Sequence, residues 1–168
     1  METRLALAAC VVLGSALCGK AAADAVRRRA RALDSLADGL RTLRVHMLGM
    51  VEPLQCALEH SECPVLTLGG EGMKEGRSAG DVWRDRRRTA SRRGGPAEAL
   101  TEADLRVLDA LFERLGQCCR EKQEALLDSA IQSVERLLDS ARKRAAEADR
   151  LYLSLGLLVG LMLALIVI

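Results

Sequence analysis

Apolar side chains recur along this chain at alternating spacings of three and four residues, the pattern of one helical face. The first such stripe predicts a helix over about residues 21–50. Its members are Leu33, Leu36, Leu40, Leu43 and Met47. A second stripe predicts a long helix from about residue 117. Its members are Leu127, Ile131, Val134, Leu138, Ala141, Ala145 and Ala148. No proline or glycine interrupts it before Gly156, so it can continue unbroken into the last apolar segment.

Shorter helices are predicted between these two stripes. Pro53 and Pro64 each suit the first turn of a helix, and each predicts a short helix beginning there. Residues 69–80 contain five glycines, which predicts a loop. Ser78 followed by Asp81 is typical of a helix start that leads into Trp83.

One further helix is bounded by signals at both ends. Thr101 and Asp104 form a capping pair at its start. Gly116 stands where glycine favours the end of a helix. The apolar face between them consists of Leu105, Leu108, Leu111, Phe112 and Leu115.

Composition supports the same fold class. Apolar residues make up 49% of the 168 residues, but aromatic residues only 2%, represented by Trp83, Phe112 and Tyr152 alone. A β-sandwich or barrel draws its core from aromatic and β-branched residues, which are scarce here. The prediction is an all-α helical bundle, with the first and last long helices packed antiparallel.

Both ends of the chain are apolar enough to predict membrane anchors. Residues 151–168 carry no charge, and as a helix they span ~27 Å, close to the hydrocarbon thickness of a bilayer. Residues 5–19 are also apolar, which fits either an anchor or a cleaved signal peptide. The basic cluster at Arg27–Arg31 favours a retained anchor because it resists translocation. The predicted organisation is a transmembrane segment at 1–20, a helical domain at 21–150 and a transmembrane helix at 151–168.

Basic residues also predict the orientation. Lys20 and Arg27–Arg31 follow the first apolar segment, and Arg142–Arg144 with Arg150 precede the second. The positive-inside rule therefore places the helical domain in the cytoplasm. Six cysteines are compatible with this location, because cytosolic thiols stay reduced.

No set of residues predicts catalysis, a cofactor or a small-molecule substrate. Cys56, His60 and Cys63 lie close in sequence, but they lack the paired C-x-x-C spacing of zinc sites, so no metal is predicted. The glycine-rich run at 69–74 matches neither nucleotide-binding glycine motif.

Six arginines crowd into ten residues after Trp83. They are Arg84, Arg86, Arg87, Arg88, Arg92 and Arg93. The pattern is interpreted as a solvated linker between helices, with contact to lipid headgroups or an acidic partner as the functional alternative. Nucleic acid is not expected, because the net charge is only +2 and Trp83 is the only aromatic residue available for stacking nearby.

In the last apolar segment, Gly156 and Gly160 match the small-residue spacing of packed membrane helices.

Four stretches together resemble the stage III sporulation protein AB family. The first is Leu43–Leu54, which ends in Pro53-Leu54; the second is Gly76-Arg77-Ser78 with Trp83; the third is Asp104-Leu105 with Leu108, Phe112, Leu115 and Gly116; the fourth is Leu153–Gly160. They follow the family's order along nearly the whole chain. The Arg-rich stretch and Cys118-Cys119 depart from the family's pattern.

The resemblance implies a helical domain similar to the cytoplasmic domains of type II secretion and type IV pilus platform proteins. It implies a non-enzymatic platform in the mother-cell membrane, within the complex that links mother cell and forespore. The implied partners are a cytosolic ATPase and the other membrane subunits. The alternative hypothesis is a membrane-tethered module that recruits nucleic acid or anionic lipid through the Arg-rich stretch.

Overall fold

A computed structural model describes residues 2–71, 73, 76–117 and 119–167, and the side chains among them at 23–71, 73, 76–117, 119–148, 151 and 162. Every regular element in these ranges is a helix, which confirms the predicted fold class. The elements are α1 (Glu2–Arg44) with a terminal π-turn (Val45–Gly49), α2 (Leu54–Glu59), α3 (Pro64–Gly70), α4 (Ala79–Ala90), α5 (Glu102–Arg114) and α6 (Arg120–Val167). The chain forms two compact units, Arg29–Asp139 and the two ends Met1–Arg28 with Ser140–Ile168.

Within the unit Arg29–Asp139, the predicted antiparallel packing of α1 and α6 is confirmed. Arg41 on α1 meets Glu135 on α6 at 2.5 Å. One helical turn later, Arg44 contacts Asp128 at 2.7 Å. The side chain of Arg120 then donates to the Leu48 carbonyl at 2.5 Å. The residue numbers of the contacting side chains therefore increase along α1 while they decrease along α6, which is the order of an antiparallel pair.

The predicted apolar stripes form the core of this unit. Their fully buried members include Leu33, Leu36, Leu40, Leu43, Leu108, Phe112, Leu127 and Val134. Ile131 is only partly buried, and the main departure is Met47, which is also only partly buried. It lies in the π-turn, where the wider backbone rotates the next side chains away from the stripe.

Local signals define the short helices as predicted. Pro53 caps α2, and Pro64 is the first residue of α3. Asp81 N–H donates to Ser78 Oγ at 3.2 Å at the start of α4. Gly116 follows α5 with φ of +81°, the left-handed conformation that glycine adopts at low cost. The predicted glycine loop is shorter than expected, because α3 extends through Gly70 and α4 begins at Ala79.

A buried ion pair joins α1 to the start of α5. Arg29 donates from Nε and Nη2 to the two carboxylate oxygens of Asp104, at 2.9 and 2.8 Å. The same carboxylate accepts from the Thr101 N–H and hydroxyl, both at 2.8 Å, which completes the predicted capping box. The side chain of Asp104 thus stabilises the start of α5 and also links α5 to α1.

The ends of the chain complete the two longest helices. α1 begins at Glu2, and α6 continues without a break to Val167, as the missing helix breakers predicted. Nearly all side chains of the predicted transmembrane segments, including those expected to pack at Gly156 and Gly160, lie outside the described residues. Among the residues that are described, no helix meets both the length and the hydropathy needed for a membrane span. The two anchors therefore remain predictions.

Candidate functional site

The Arg-rich stretch lies mostly on a helix, which corrects its interpretation as a linker. Arg84, Arg86, Arg87 and Arg88 belong to α4, and Arg92 and Arg93 belong to the turn that follows. The helix forms because Ser78 caps it and because it buries a narrow apolar face. That face consists of Ala79, Val82, Trp83 and Ala90. Arginine has a high helix propensity, so the polar positions do not oppose the helix.

Three of these arginines form ion pairs, and two of the three tie α4 to its surroundings. Arg84 pairs with Asp81 on the same helix at 3.2 Å, and Arg86 pairs with Glu71. Arg87 reaches across to α5, where its Nε lies 2.9 Å from Asp109 and its Nη2 2.5 Å from Glu102. These side chains therefore hold the fold as well as covering its surface.

The other three arginines form a cationic patch, defined here as Arg88, Arg92 and Arg93. All three are exposed, and within the described residues none of them forms an ion pair. The patch lies at the C-terminal end of α4, where the helix dipole favours positive charge. It is the part of the Arg-rich stretch available to an anionic surface.

The turn that carries the patch is compact. Ala97 N–H donates back to the Ala90 carbonyl at 3.0 Å, and Gly94 N–H donates to Glu98 at 2.7 Å. Gly94 adopts φ of +82°. A Cβ at Gly95 would lie 2.2 Å from the Ala90 oxygen, so only glycine fits there. Arg92 and Arg93 of the patch therefore lie on a turn that is held by hydrogen bonds.

Trp83 joins α4 to α5 from inside. Its ring stacks on Phe112 with centroids 4.9 Å apart, and its indole N–H donates to Asp109 at 2.8 Å. Asp109 also accepts from Arg87, so one carboxylate fixes two side chains of α4. A cleft of about 230 Å³ lies over Trp83, Arg87 and Asp109.

The residues that carried the family resemblance occupy packing positions. Trp83, Leu105, Leu108, Phe112 and Leu115 are all buried. Two distant members of the set also meet, because a Cβ at Gly116 would lie 2.8 Å from Leu54 of α2. Pro53 starts α2, and Gly76 turns the chain before α4 with φ of +77°. These residues specify the fold, and none of them forms a reactive group.

One polar cluster was not predicted from the sequence. His46 in the π-turn and His60 at the end of α2 each place Nδ1 3.1 Å from Oε2 of Glu52. The hydrogen bonds from His60 and then His46 hold the pKa of Glu52 below its ordinary value. The cluster shares only His60 with the Cys56, His60 and Cys63 set that the sequence analysis had considered. The available signal was that these are the chain's only two histidines, with two glutamates, Glu52 and Glu59, between them.

The cysteines form no disulfide among the described residues. Cys56 and Cys119 are exposed, whereas Cys63 is buried. Burial raises the pKa of the Cys63 thiol. Cys63 fills a packing position, since a Cβ at Gly39 would lie 2.5 Å from its own Cβ.

A family model described as stage III sporulation protein AB matches residues 4–168. The chain belongs to the stage III sporulation protein AB family. Membership implies a sporulation-related role. The match covers both long helices and every short helix between them, so the whole described fold is that of a stage III sporulation protein AB family member. No curated protein and no solved structure gives a significant match to the chain.

Proposed function

We propose that this member of the stage III sporulation protein AB family is a non-enzymatic platform subunit in the mother-cell membrane. Its helical domain faces the cytoplasm, meets a cytosolic ATPase and couples that ATPase to the other membrane subunits of the mother cell–forespore complex. The observation that carries the proposal is the family match over residues 4–168. The apolar ends and the flanking basic residues support the proposed topology.

The chemistry of the domain also favours a scaffold. Several of the described acidic and basic side chains of α1, α4, α5 and α6 form ion pairs that join helices, such as Arg29 with Asp104. Such pairs fix relative helix positions, which suits a subunit that transmits force or position. The cationic patch is the surface proposed to contact an acidic region of a partner.

Topology can be tested with the native thiols. Cys56 and Cys119 are exposed, and Cys63 is a buried internal control. In intact sporulating cells, a membrane-impermeant maleimide should leave both exposed thiols unmodified. After the membrane is permeabilised, peptide mass spectrometry should find both of them modified. Modification in intact cells would contradict a cytoplasmic domain.

The role can be tested by deletion and complementation. Deleting the gene in its sporulating host should abolish heat-resistant spores, and the intact gene should restore them. Co-purification of the ATPase with the full chain from these cells would support the coupling role. Normal heat-resistant spores from the deletion strain would refute it.

The cationic patch favours a second candidate, a membrane-tethered module that recruits anionic lipid or nucleic acid. Two variants with equal charge change separate the candidates. Arg88→Gln/Arg92→Gln removes two patch cations, whereas Arg84→Gln/Arg86→Gln removes two cations already paired. If only the patch variant loses binding to vesicles containing phosphatidylglycerol, or to RNA, the second candidate is supported. If it loses ATPase co-purification with vesicle and RNA binding unchanged, the platform is supported.

A further inference from the structure

His46, Glu52 and His60 bring three side chains of types that can bind a metal ion to one point. One ligand atom from each lies within 4.8 Å of the other two. The imidazole ring centroids are 5.1 Å apart, and the Glu52 carboxylate lies between the Nδ1 atoms. The three residues come from three segments: the π-turn, the link to α2, and the end of α2.

The backbone around Glu52 is specialised for this arrangement. The five-residue π-turn Val45–Gly49 ends α1, and Met50 N–H still donates to the Val45 carbonyl at 3.2 Å. Val51 then adopts φ of +56°, which is unfavourable for a β-branched residue. The reversal lets Glu52 N–H donate to the His46 carbonyl at 3.1 Å. π-Turns and strained residues concentrate at functional sites, and here they aim Glu52 at both histidines.

We propose that His46, Glu52 and His60 bind one divalent transition-metal ion, with Zn²⁺ as the expected ion. Two imidazole nitrogens and one carboxylate oxygen are a ligand set that zinc takes in proteins. Ligand atoms about 2.0–2.1 Å from a tetrahedral ion lie about 3.3 Å apart. Both Nδ1 to Oε2 distances are 3.1 Å, and all three ligand atoms lie within 4.8 Å of one another, so side-chain adjustments of about 1 Å or more would be needed to bring them around one ion.

The surroundings of the cluster fit a site that an ion can reach. His60 is exposed over 57% of its side chain, whereas His46 and Glu52 are exposed over 20% and 26%. Two ligands are thus held by the fold, and the third closes the site from the solvent side. Three protein ligands leave a fourth position for water or for a side chain of a partner. Met50 and Val51, both strongly exposed, lie in the segment that the ion would fix.

The proposal can be tested with metal ions alone on the reduced full-length chain. After chelation and removal of the chelator, equilibrium dialysis should find one Zn²⁺ per chain bound by the cluster. Co²⁺ should produce the visible absorption of a tetrahedral ion with nitrogen and oxygen ligands. Zn²⁺ should also raise the thermal unfolding temperature, because it binds the folded state.

Matched variants assign the ion to its ligands. His60→Ala and Glu52→Gln should each weaken Zn²⁺ binding on the order of 100-fold or more. Mutation of a residue that only hydrogen-bonds to a metal ligand already lowers metal affinity about 10–100-fold. Glu59→Gln changes a neighbouring carboxylate outside the cluster and should leave affinity unchanged. A Cys118→Ser/Cys119→Ser variant should retain binding, which excludes the vicinal thiols. Circular dichroism checks that each variant is folded.

Two results would overturn the proposal. One is the absence of stoichiometric Zn²⁺ binding by the wild-type chain at micromolar free ion. The other is binding that survives in folded His60→Ala and Glu52→Gln chains but is lost in the Cys118→Ser/Cys119→Ser variant. In either case Glu52 acts only as a hydrogen-bond acceptor for the two histidines.

Discussion

Replacing Asp104 with asparagine tests how the domain is held together. Asp104 is fully buried at its side chain, and its partner Arg29 is exposed over only 13%. The substitution keeps the side-chain volume but removes the charge that balances Arg29. Breaking a buried ion pair costs about 3–5 kcal/mol, and losing a helix cap costs about 1 kcal/mol. The asparagine can still accept one bond from Thr101, so we expect a loss of about 3 kcal/mol of unfolding free energy.

The assay is urea unfolding of the full chain at pH 7, followed by circular dichroism. A loss of about 3 kcal/mol lowers the midpoint by about 1–3 M urea for typical slopes. Glu135→Gln is the control, because it removes an exposed carboxylate paired with Arg41 and should cost under about 1 kcal/mol. Adding Arg29→Met to Asp104→Asn should recover part of the loss, since no unpaired cation then remains. Equal midpoints for Asp104→Asn and Glu135→Gln would show that the ion pair of Asp104 with Arg29 contributes no more than an exposed pair.

The same residue gives the stability a defined pH dependence. Burial raises the pKa of the Asp104 carboxyl, but the bonds from Arg29 and Thr101 lower it more, so the net shift is downward. A carboxyl with a lowered pKa in the folded state stabilises above its unfolded pKa of about 3.9 and loses that effect as pH falls through the folded value. The difference between wild-type and Asp104→Asn chains should therefore be constant near neutral pH and shrink below about pH 4.

Three further predictions concern packing and reactivity. Gly69→Ala should cost about 1–3 kcal/mol in urea unfolding, because its Cβ would lie 2.4 Å from the Phe112 ring; an unchanged midpoint would contradict this close contact. Trp83→Phe puts a smaller ring in a buried position and loses the indole hydrogen bond to Asp109 of α5, so it should cost about 1–3 kcal/mol in the same assay, and an unchanged midpoint would contradict this packing. Iodoacetamide should alkylate Cys56 about tenfold or more faster than buried Cys63 in native protein, with equal rates after denaturation; equal native rates would show that Cys63 is accessible.

The helices could be predicted where the sequence carries a period and a cap. Leu105, Leu108 and Leu111 repeat at three-residue spacing between Thr101 and Gly116, so both the face and the ends of α5 were available. The antiparallel pairing of α1 and α6 followed because each has one long stripe to bury. These features are local or depend on helical geometry alone.

The Arg-rich stretch was interpreted as a linker because its charged residues leave few apolar positions that could show a helical period. Between Trp83 and Ala90 lie only polar and charged residues, so the apolar face of α4 has few markers. Burial of Val82, Trp83 and Ala90 decides the helix, and the stacking of Trp83 on Phe112 of α5 is a tertiary contact. The division of the arginines into paired and unpaired sets also depends on distant acids such as Glu102 and Asp109.

No known sequence spacing predicts the histidine–glutamate cluster. His46, Glu52 and His60 are six and eight residues apart, and no single helix or strand would bring them together. Their convergence requires a π-turn and a valine at positive φ, both of which oppose local preference. Such features are set by the surrounding fold, so a sequence pattern does not indicate them.

In vivo photocrosslinking is the most direct test of the proposed contact between the helical domain and a cytosolic ATPase. A photoreactive amino acid would replace one exposed residue on each long element, at Asp38 on α1, Arg88 on α4, Arg114 on α5 and Glu121 on α6, with buried Leu108 as the negative control. Irradiation of sporulating cells should give an adduct containing the ATPase from at least one exposed position, and Arg88 is the position most expected to give it. Leu108 should give none. Adducts that never contain the ATPase at any exposed position, in cells that still form heat-resistant spores, would contradict it.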